Sequence, residues 1–168
     1  LLFGLILLGI MIPKGVTMIP MFIMASGLRL TNTYAGLIIP PLAIPVGVFL
    51  VRQAMFSFPM ELVDAAKIDG CSEFSAFLRI VMPILAPSLV VVAIYTFMDQ
   101  WREFIWPLIL TSTDRMSTIP VGLSTLSSEF RTDYGIFMAG VVISMLPGIV
   151  VFLLFQRQFL KGMTAGGL

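Results

Sequence analysis

The segment from Tyr134 to Phe155 carries no Asp, Glu, Lys or Arg, and this uncharged length constrains the fold more than any other feature. A bilayer core of about 30 Å requires roughly 20 apolar residues in one helix. Because no water reaches the backbone there, the segment predicts a transmembrane helix. The whole chain has the same character, since 58% of its residues are hydrophobic and 11% are charged.

Three further apolar segments predict an all-α fold, a polytopic bundle of transmembrane helices that forms one domain over residues 1–168. The predicted spans cover residues 1–26, 35–52, 84–110 and 134–156. Pro13, Gly15 and Pro20 predict a kink or a break in the first span. We expect Lys14 in that span either to face a cavity, another helix or an interface, or to extend its ammonium group towards the membrane surface.

Composition also bounds the function. The chain has no histidine and a net charge of +1, which gives no indication of a nucleic-acid partner. Its single cysteine, Cys71, cannot form an internal disulfide. The sequence contains no phosphate-binding glycine loop, nucleophile elbow or cluster of metal ligands. We therefore expect no enzymatic activity, no catalytic residue and no metal site. Because the chain starts inside an apolar run, we expect it to be a fragment that begins inside a longer protein.

The longest polar interval, here called the island, covers residues 61–83 between the second and third spans. Glu61 lies where an acidic side chain favours the start of a helix. Gly70 can adopt the left-handed conformation that ends a helix, and Ser72 can cap a second one. The island is therefore predicted to form a helix, a glycine turn and a second helix, after which Pro83 breaks or kinks the chain.

The second helix of the island has one apolar face. Phe74, Phe77, Leu78 and Val81 recur with the spacing of helix neighbours. A pair of short surface helices that carries acidic groups and an apolar face can fit a groove of a partner protein. The alternative is an ordinary solvated loop.

A second polar group lies near the outer end of the third span and consists of Asp99, Gln100, Trp101, Arg102 and Glu103. Charged side chains within a membrane span are energetically costly and usually serve a function, so these five are candidate residues along a solute path. The structural alternative is an ion pair between Arg102 and Glu103, with Trp101 and Trp106 as interfacial aromatics. In the fourth span, Gly140, Ser144 and Gly148 share one face and predict close helix packing.

Lys and Arg residues near the span ends indicate the orientation. One side of the membrane holds Arg52, Lys67, Arg79, Arg157 and Lys161, and the other holds Arg29, Arg115 and Arg131. This bias places the island and the C-terminus in the cytoplasm and a polar loop, residues 111–133, outside.

The island also contains a spaced signature. Asp64-Ala65-Ala66 is followed after three residues by Gly70 and, after nine more, by Ile80-Val-Met-Pro83. This spacing resembles the Glu-Ala-Ala signature of ABC importer permeases, with Asp64 in place of Glu and Met82 in place of Leu. Other segments resemble the carbohydrate subgroup, specifically the second permease subunit of maltose-type and glycerol-3-phosphate-type systems. These segments are Met11–Pro13 with Ile19–Pro20, Asn32–Tyr34, Phe97–Pro107, Ile119–Leu123 and Leu160–Gly166. Lys14 departs from that subgroup.

The resemblance implies a type I ABC importer permease fold in the cytoplasmic (inner) membrane of a prokaryote, and it implies that this fragment lacks N-terminal spans. The implied function is transport of a sugar or related solute by alternating access. The same machinery with a polyol, glycerol phosphate or peptide is the alternative, followed by an unrelated channel or membrane enzyme.

The resemblance also implies the partners. Coupling helices at residues 60–82 would contact a separate cytoplasmic ATPase dimer, which would bind ATP, so that this chain would need no cofactor. A second permease subunit, an extracytoplasmic solute-binding protein and membrane lipid would complete the assembly. The implied ATPase-coupling residues are Glu61, Asp64, Ala65, Ala66, Asp69, Gly70, Ile80 and Pro83.

Overall fold

The computed structural model describes residues 2–128 and 134–165, which form helices joined by short turns, with no strand in these two ranges. The α-helices are α1 (Leu2–Met11), α2 (Lys14–Gly27), α3 (Tyr34–Ile38), α4 (Pro45–Phe56), α5 (Glu61–Ile68), α6 (Glu73–Ala76), α7 (Met82–Trp101), α8 (Ile105–Leu110), α9 (Ile119–Ser128) and α10 (Tyr134–Ala165). Short 3₁₀ turns lie at Pro40–Leu42 and Asp114–Met116, and a π turn lies at Phe77–Val81. The all-α fold class is confirmed.

Two continuous helical stretches are long and apolar enough to cross a membrane. They are Glu73–Trp101, with 29 residues, and Tyr134–Gln156, with 23 residues. Two further pairs pass the same criteria only when each pair is taken together: α1 with α2, bent by 106°, and Tyr34–Leu42 with α4, bent by 41°. By length and composition, the described residues therefore contain two to four candidate spans.

The predicted break in the first apolar segment is confirmed. Helix α1 ends at Met11, and α2 begins at Lys14. Between them Pro13 has an extended backbone, with φ −59° and ψ 134°. Because proline lacks an amide hydrogen, it cannot continue the hydrogen bonds of α1. The later Pro20 lies inside α2 without ending it.

The predicted break at Pro83 is wrong, because the chain stays helical from Glu73 to Trp101, whereas the kink stays a prediction. The amide of Met82 donates to the carbonyl of Phe77, five residues earlier, which is the hydrogen bond of a π turn. In a regular helix the ring of Pro83 would clash with the carbonyl of Arg79. The wider turn relieves this conflict and joins the island to α7.

Two predicted boundaries also differ from the structure. The segment 84–110 is divided, since α7 ends at Trp101 and α8 begins at Ile105. The predicted polar loop 111–133 contains α9, in which Pro120 occupies the first turn, where its missing amide hydrogen has no cost. The prediction of a loop rested on the charged residues of this segment, which lie outside α9. Glu129, Arg131 and Asp133 of that loop lie outside the described residues, as do Leu1 and Gly166.

The small-residue face predicted on α10 is confirmed as a packing surface. A Cβ atom added at Gly140 would lie 2.7 Å from Leu123 Cδ2 of α9. The carbonyl of Ser144, one turn further along, accepts a hydrogen bond from Trp101 Nε1 at 2.9 Å. These contacts place α9 and the end of α7 against the same face of α10.

The most buried cluster of side chains joins α2 to α8. Ala25, Trp106 and Leu110 are each less than 5% exposed. Trp106 Nε1 donates to the carbonyl of Gly36 at 3.2 Å, which brings α3 onto α8. The amide of Asn32 donates to the carbonyl of Leu110 at 2.8 Å, which ties the turn after α2 to the end of α8.

Candidate functional site

The first helix of the island ends in a backbone motif centred on Gly70. The Gly70 amide donates to Lys67 O at 3.0 Å, and the Cys71 amide donates to Ala66 O at 2.9 Å. This pair of bonds is the Schellman arrangement, which requires a left-handed residue. Gly70 supplies it with φ +80°. A Cβ atom there would meet nothing within 4 Å, so backbone conformation rather than space selects glycine.

The second helix of the island is capped as predicted. Ser72 Oγ accepts a hydrogen bond from the amide of Ser75 at 3.3 Å. A salt bridge also joins the two helices, with 3.1 Å between Lys67 Nζ and Glu73 Oε1. Both side chains are largely exposed, and such pairs contribute about 1 kcal/mol at most. The backbone motif at the glycine turn therefore sets the angle between the helices.

The surface of the island is polar on one part and apolar on another. The side chains of Asp64 and Ala65 are exposed, and Ala66 is half-buried beside them. Ile68 is 86% exposed and Phe74 is 73% exposed. An exposed apolar patch with a polar border is typical of a protein-interaction surface.

The remaining candidate coupling residues frame this surface. Glu61 begins α5, and Asp69 is the last residue before the glycine turn; both are exposed. Ile80 is half-buried in the π turn, and Pro83 is exposed at the start of α7. All eight candidates therefore lie at one end of the long helix Glu73–Trp101.

A cavity of about 290 Å³ lies near the other end of α7. Its walls include the break between α1 and α2 and the break between Pro40–Leu42 and α4. Three of the five candidate solute-path residues, Asp99, Gln100 and Glu103, line it. Both interrupted helix pairs thus meet the polar end of α7 at this cavity.

Lys14 crosses the cavity to the two carboxylates. Its Nζ atom lies 2.7 Å from Asp99 Oδ2 and 3.6 Å from Glu103 Oε2. The Lys14 side chain is 67% exposed, whereas those of Asp99 and Glu103 are 26% and 20% exposed. The expectation that Lys14 faces a cavity and another helix is confirmed, since it lines the cavity and pairs with Asp99 of α7.

Both carboxylates have a second polar contact. Glu103 Oε1 accepts from the amide of Trp106 at 3.3 Å, at the start of α8. Asp99 Oδ2 lies 3.4 Å from Gln100 Nε2. Asp99 Oδ1 has no hydrogen-bond donor in the part of the chain that the structure describes. Across the described ranges 2–128 and 134–165, no group of three or more His, Cys, Asp or Glu side chains could hold a metal ion.

The other two candidate solute-path residues do not line the cavity. Trp101 stacks on Phe97, with 5.6 Å between ring centroids, and bonds to α10 as described above. Arg102 is exposed, and its Nε donates to Met98 O at 3.1 Å. The predicted ion pair between Arg102 and Glu103 is wrong, because Glu103 pairs with Lys14. Both residues lie in the turn between α7 and α8, where Arg102 bonds back to α7 and the Glu103 carboxylate faces Lys14.

Tyr95 lines the cavity and was missed by the sequence interpretation. It precedes Asp99 by four residues, and residues four apart share one helix face. That spacing was the signal that could have identified it. Thr17, which follows Lys14 by three residues, lines the cavity for the same reason.

Comparison with known proteins gives a consistent family. The sequence matches the family described as "Binding-protein-dependent transport system inner membrane component" over residues 1–165. It is 41% identical over 165 residues to "Arabinooligosaccharides transport system permease protein AraQ" of Halalkalibacterium halodurans, which covers 98% of this chain and 59% of that protein. It is 37% identical over 158 residues to "Lactose transport system permease protein LacG" of Rhizobium radiobacter, covering 94% of this chain and 58% of that protein.

A third relative is "sn-glycerol-3-phosphate transport system permease protein UgpE" of Yersinia pestis bv. Antiqua, 34% identical over 166 residues, covering 98% of this chain and 59% of that protein. The chain thus spans less than two thirds of the length of these curated relatives. A solved structure, "Crystal structure of a bacterial ABC transporter involved in the import of the acidic polysaccharide alginate", aligns with a TM-score of 0.78. The alignment covers 93% of this chain and 60% of that chain at 18% identity, so it shows a shared fold.

Proposed function

Because the chain belongs to the family of binding-protein-dependent transport system inner membrane components, we propose that it is part of the permease subunit of an ABC importer. In this proposal the subunit moves a sugar or a related solute across the cytoplasmic membrane by alternating access. The observation that carries the proposal is the exposed island, which bears the spaced signature and continues into α7 without a break. The names of the relatives, which include arabinooligosaccharide and lactose permeases, support a carbohydrate.

The island is the proposed contact with a separate cytoplasmic ATPase. Exposed Asp64 and Ala65, together with apolar Ile68 and Phe74, would fit a groove of that partner. Glu61, Asp69 and Gly70 would fix the edges and the angle of this contact, and Ala66 would allow close approach. The ATPase would bind and hydrolyse ATP, whereas this chain would contribute motion.

Helix α7 would transmit that motion. Asp99 lies 17 positions after Met82, or about 25 Å along the axis at 1.5 Å per residue. A displacement of the island would therefore move the wall of the cavity that holds Tyr95, Asp99 and Glu103. Opening and closing a cavity with a rigid element is a recognised route for coupling two states.

The remaining parts of the assembly follow from this orientation. The C-terminus and the island would lie in the cytoplasm, and α9 would lie outside, near a solute-binding protein. On α10, Val142, Leu146 and Phe152 are each more than half exposed. We assign such apolar surface to lipid or to a second permease subunit.

Co-expression of the full-length permease with its ATPase tests this function. We expect Gly70→Asp and Ala66→Arg to reduce both ATPase association in a pull-down and solute uptake. For ATPase association, Gly122→Asp is the matched control, because it makes the same chemical change at a glycine of α9, away from the island and with open space around it. If both island variants retain association and uptake, the coupling role is refuted. If the unmodified permease fails to retain an ATPase, the permease assignment itself is refuted.

A further inference from the structure

The cavity beside Lys14 has a size, a set of hydrogen-bonding groups and a charge that together indicate which solutes it can bind. We propose that it is a recognition site for one unit of an uncharged, hydroxyl-rich solute, and that its charge rejects anionic solutes. This inference rests on the proposed transport function and specifies its substrate class. A volume of about 290 Å³ lies just below the usual range for small-molecule sites, so it suits one sugar unit rather than a long chain.

The polar groups of the cavity match hydroxyl groups. Asp99 Oδ1 is available to accept a hydrogen bond, and the side-chain amide of Gln100 can both donate and accept. Lys14 has three donors, and its side chain is 67% exposed. Donors and acceptors therefore alternate within a few ångströms. A hydroxyl group, which both donates and accepts, can use both kinds of partner, whereas a phosphate or carboxylate only accepts.

The charge of the cavity supports discrimination. Lys14 is the one cation among its described lining residues, and it faces the two anions Asp99 and Glu103. The site therefore carries one net negative charge. Because the carboxylates are mostly shielded from water, a solute anion placed beside them would be repelled with little screening. Like-charge placement of this kind is a strong source of specificity.

The surrounding backbone also suits a solute site. Both broken helix pairs open into the cavity, and interrupted helices are the usual builders of solute sites in transporters. Tyr95, which is 41% exposed, also lines the cavity, and an aromatic side chain suits the C–H groups of a sugar ring. The site is thus polar along one wall of α7 and partly aromatic beside it.

The experiment uses the full-length permease assembled with its partner subunits in detergent. Saturation-transfer NMR would measure binding of lactose and arabinobiose as neutral probes and sn-glycerol-3-phosphate as the anionic probe. We expect saturation transfer to a neutral probe, and affinity for the anionic probe lower by about tenfold or more. The double variant Asp99→Asn, Glu103→Gln removes both carboxylates, so that Lys14 gives the site one net positive charge. We expect this variant to lose neutral-probe affinity about tenfold and to gain binding of the anion.

Arg102→Gln is the control variant, because it removes a neighbouring charge that does not line the cavity. Retention of the ATPase by each variant complex verifies folding and keeps this test separate from the test of the permease function. Equal binding of neutral and anionic probes would overturn the inference. The inference would also be overturned if the Asp99→Asn, Glu103→Gln variant retained the ATPase and bound both kinds of probe as Arg102→Gln does. In both cases the permease assignment would stand, and the Lys14 ion pairs would have only a structural role.

Discussion

The contact between α3 and the turn before it leads to a quantitative prediction for Gly36→Ala. A Cβ atom at Gly36 would overlap the carbonyl oxygen of Leu30 and lie 3.0 Å from Leu110 Cδ2. The carbonyl is backbone and cannot rotate away, so α3 must move. Overpacking of this kind costs about 1–3 kcal/mol.

Two smaller terms modify that cost. Movement of α3 would weaken the hydrogen bond from Trp106 Nε1 to the Gly36 carbonyl, at about 1 kcal/mol. Alanine is favoured over glycine within a helix by about 0.5–1 kcal/mol, which offsets that loss. The expected net destabilisation is therefore about 2 kcal/mol. By the scaling of domains of this size, the unfolding midpoint would fall by about 4–8 °C.

The assay measures the thermal midpoint of the full-length complex, which carries a fluorescent tag and is monitored by size-exclusion chromatography after heating. Gly122→Ala is the control, because a Cβ atom at Gly122 meets nothing within 4 Å. Its midpoint should stay the same or rise slightly. Equal midpoints for Gly36→Ala and Gly122→Ala would refute the packing argument. Because Trp106 also lines the cavity, reduced uptake should accompany the lower midpoint.

Three further predictions concern the island and the end of α7. Gly70→Ala places a side chain at φ +80°, which costs about 1–2 kcal/mol. In a pull-down this variant should retain less ATPase than the unmodified permease. Full retention would contradict the role of the turn. Lys67→Ala removes only an exposed salt bridge, so the thermal midpoint should change by less than the equivalent of about 1 kcal/mol. A larger drop would mean that the Lys67–Glu73 salt bridge sets the angle between the two helices of the island. Trp101→Phe keeps an aromatic ring but removes the donor to Ser144 O, and should destabilise the complex by about 1 kcal/mol in the same thermal assay. An unchanged midpoint would contradict a stabilising role of this hydrogen bond.

Local rules were sufficient for the island. The cap at Ser72 and the turn at Gly70 depend on residues within a few positions of each other, and both were predicted from sequence. The break before Lys14 has the same local origin, since Pro13 alone interrupts the hydrogen bonds. The all-α class followed from the length of the uncharged segments.

The cavity required information that local rules do not contain. Lys14 and Asp99 are 85 residues apart in sequence, and no periodicity within one helix connects them. The sequence interpretation paired Glu103 with its neighbour Arg102, because proximity along the chain was the only distance available. The break expected at Pro83 is absent for a related reason. Whether a proline ends a helix depends on the hydrogen-bond pattern of the preceding turn, which tertiary packing helps to select.

The π turn at Phe77–Val81 has a geometric consequence for the whole subunit. One residue of a regular α-helix corresponds to about 100° of rotation about its axis. By accommodating an extra residue within a turn, the π turn fixes the azimuth of the island relative to the face of α7 that carries Tyr95 and Asp99. In the proposed coupling, this azimuth would set the direction in which a displacement of the island reaches the cavity. A regular α-helical turn at Phe77–Val81 would rotate the island about the helix axis relative to Tyr95 and Asp99.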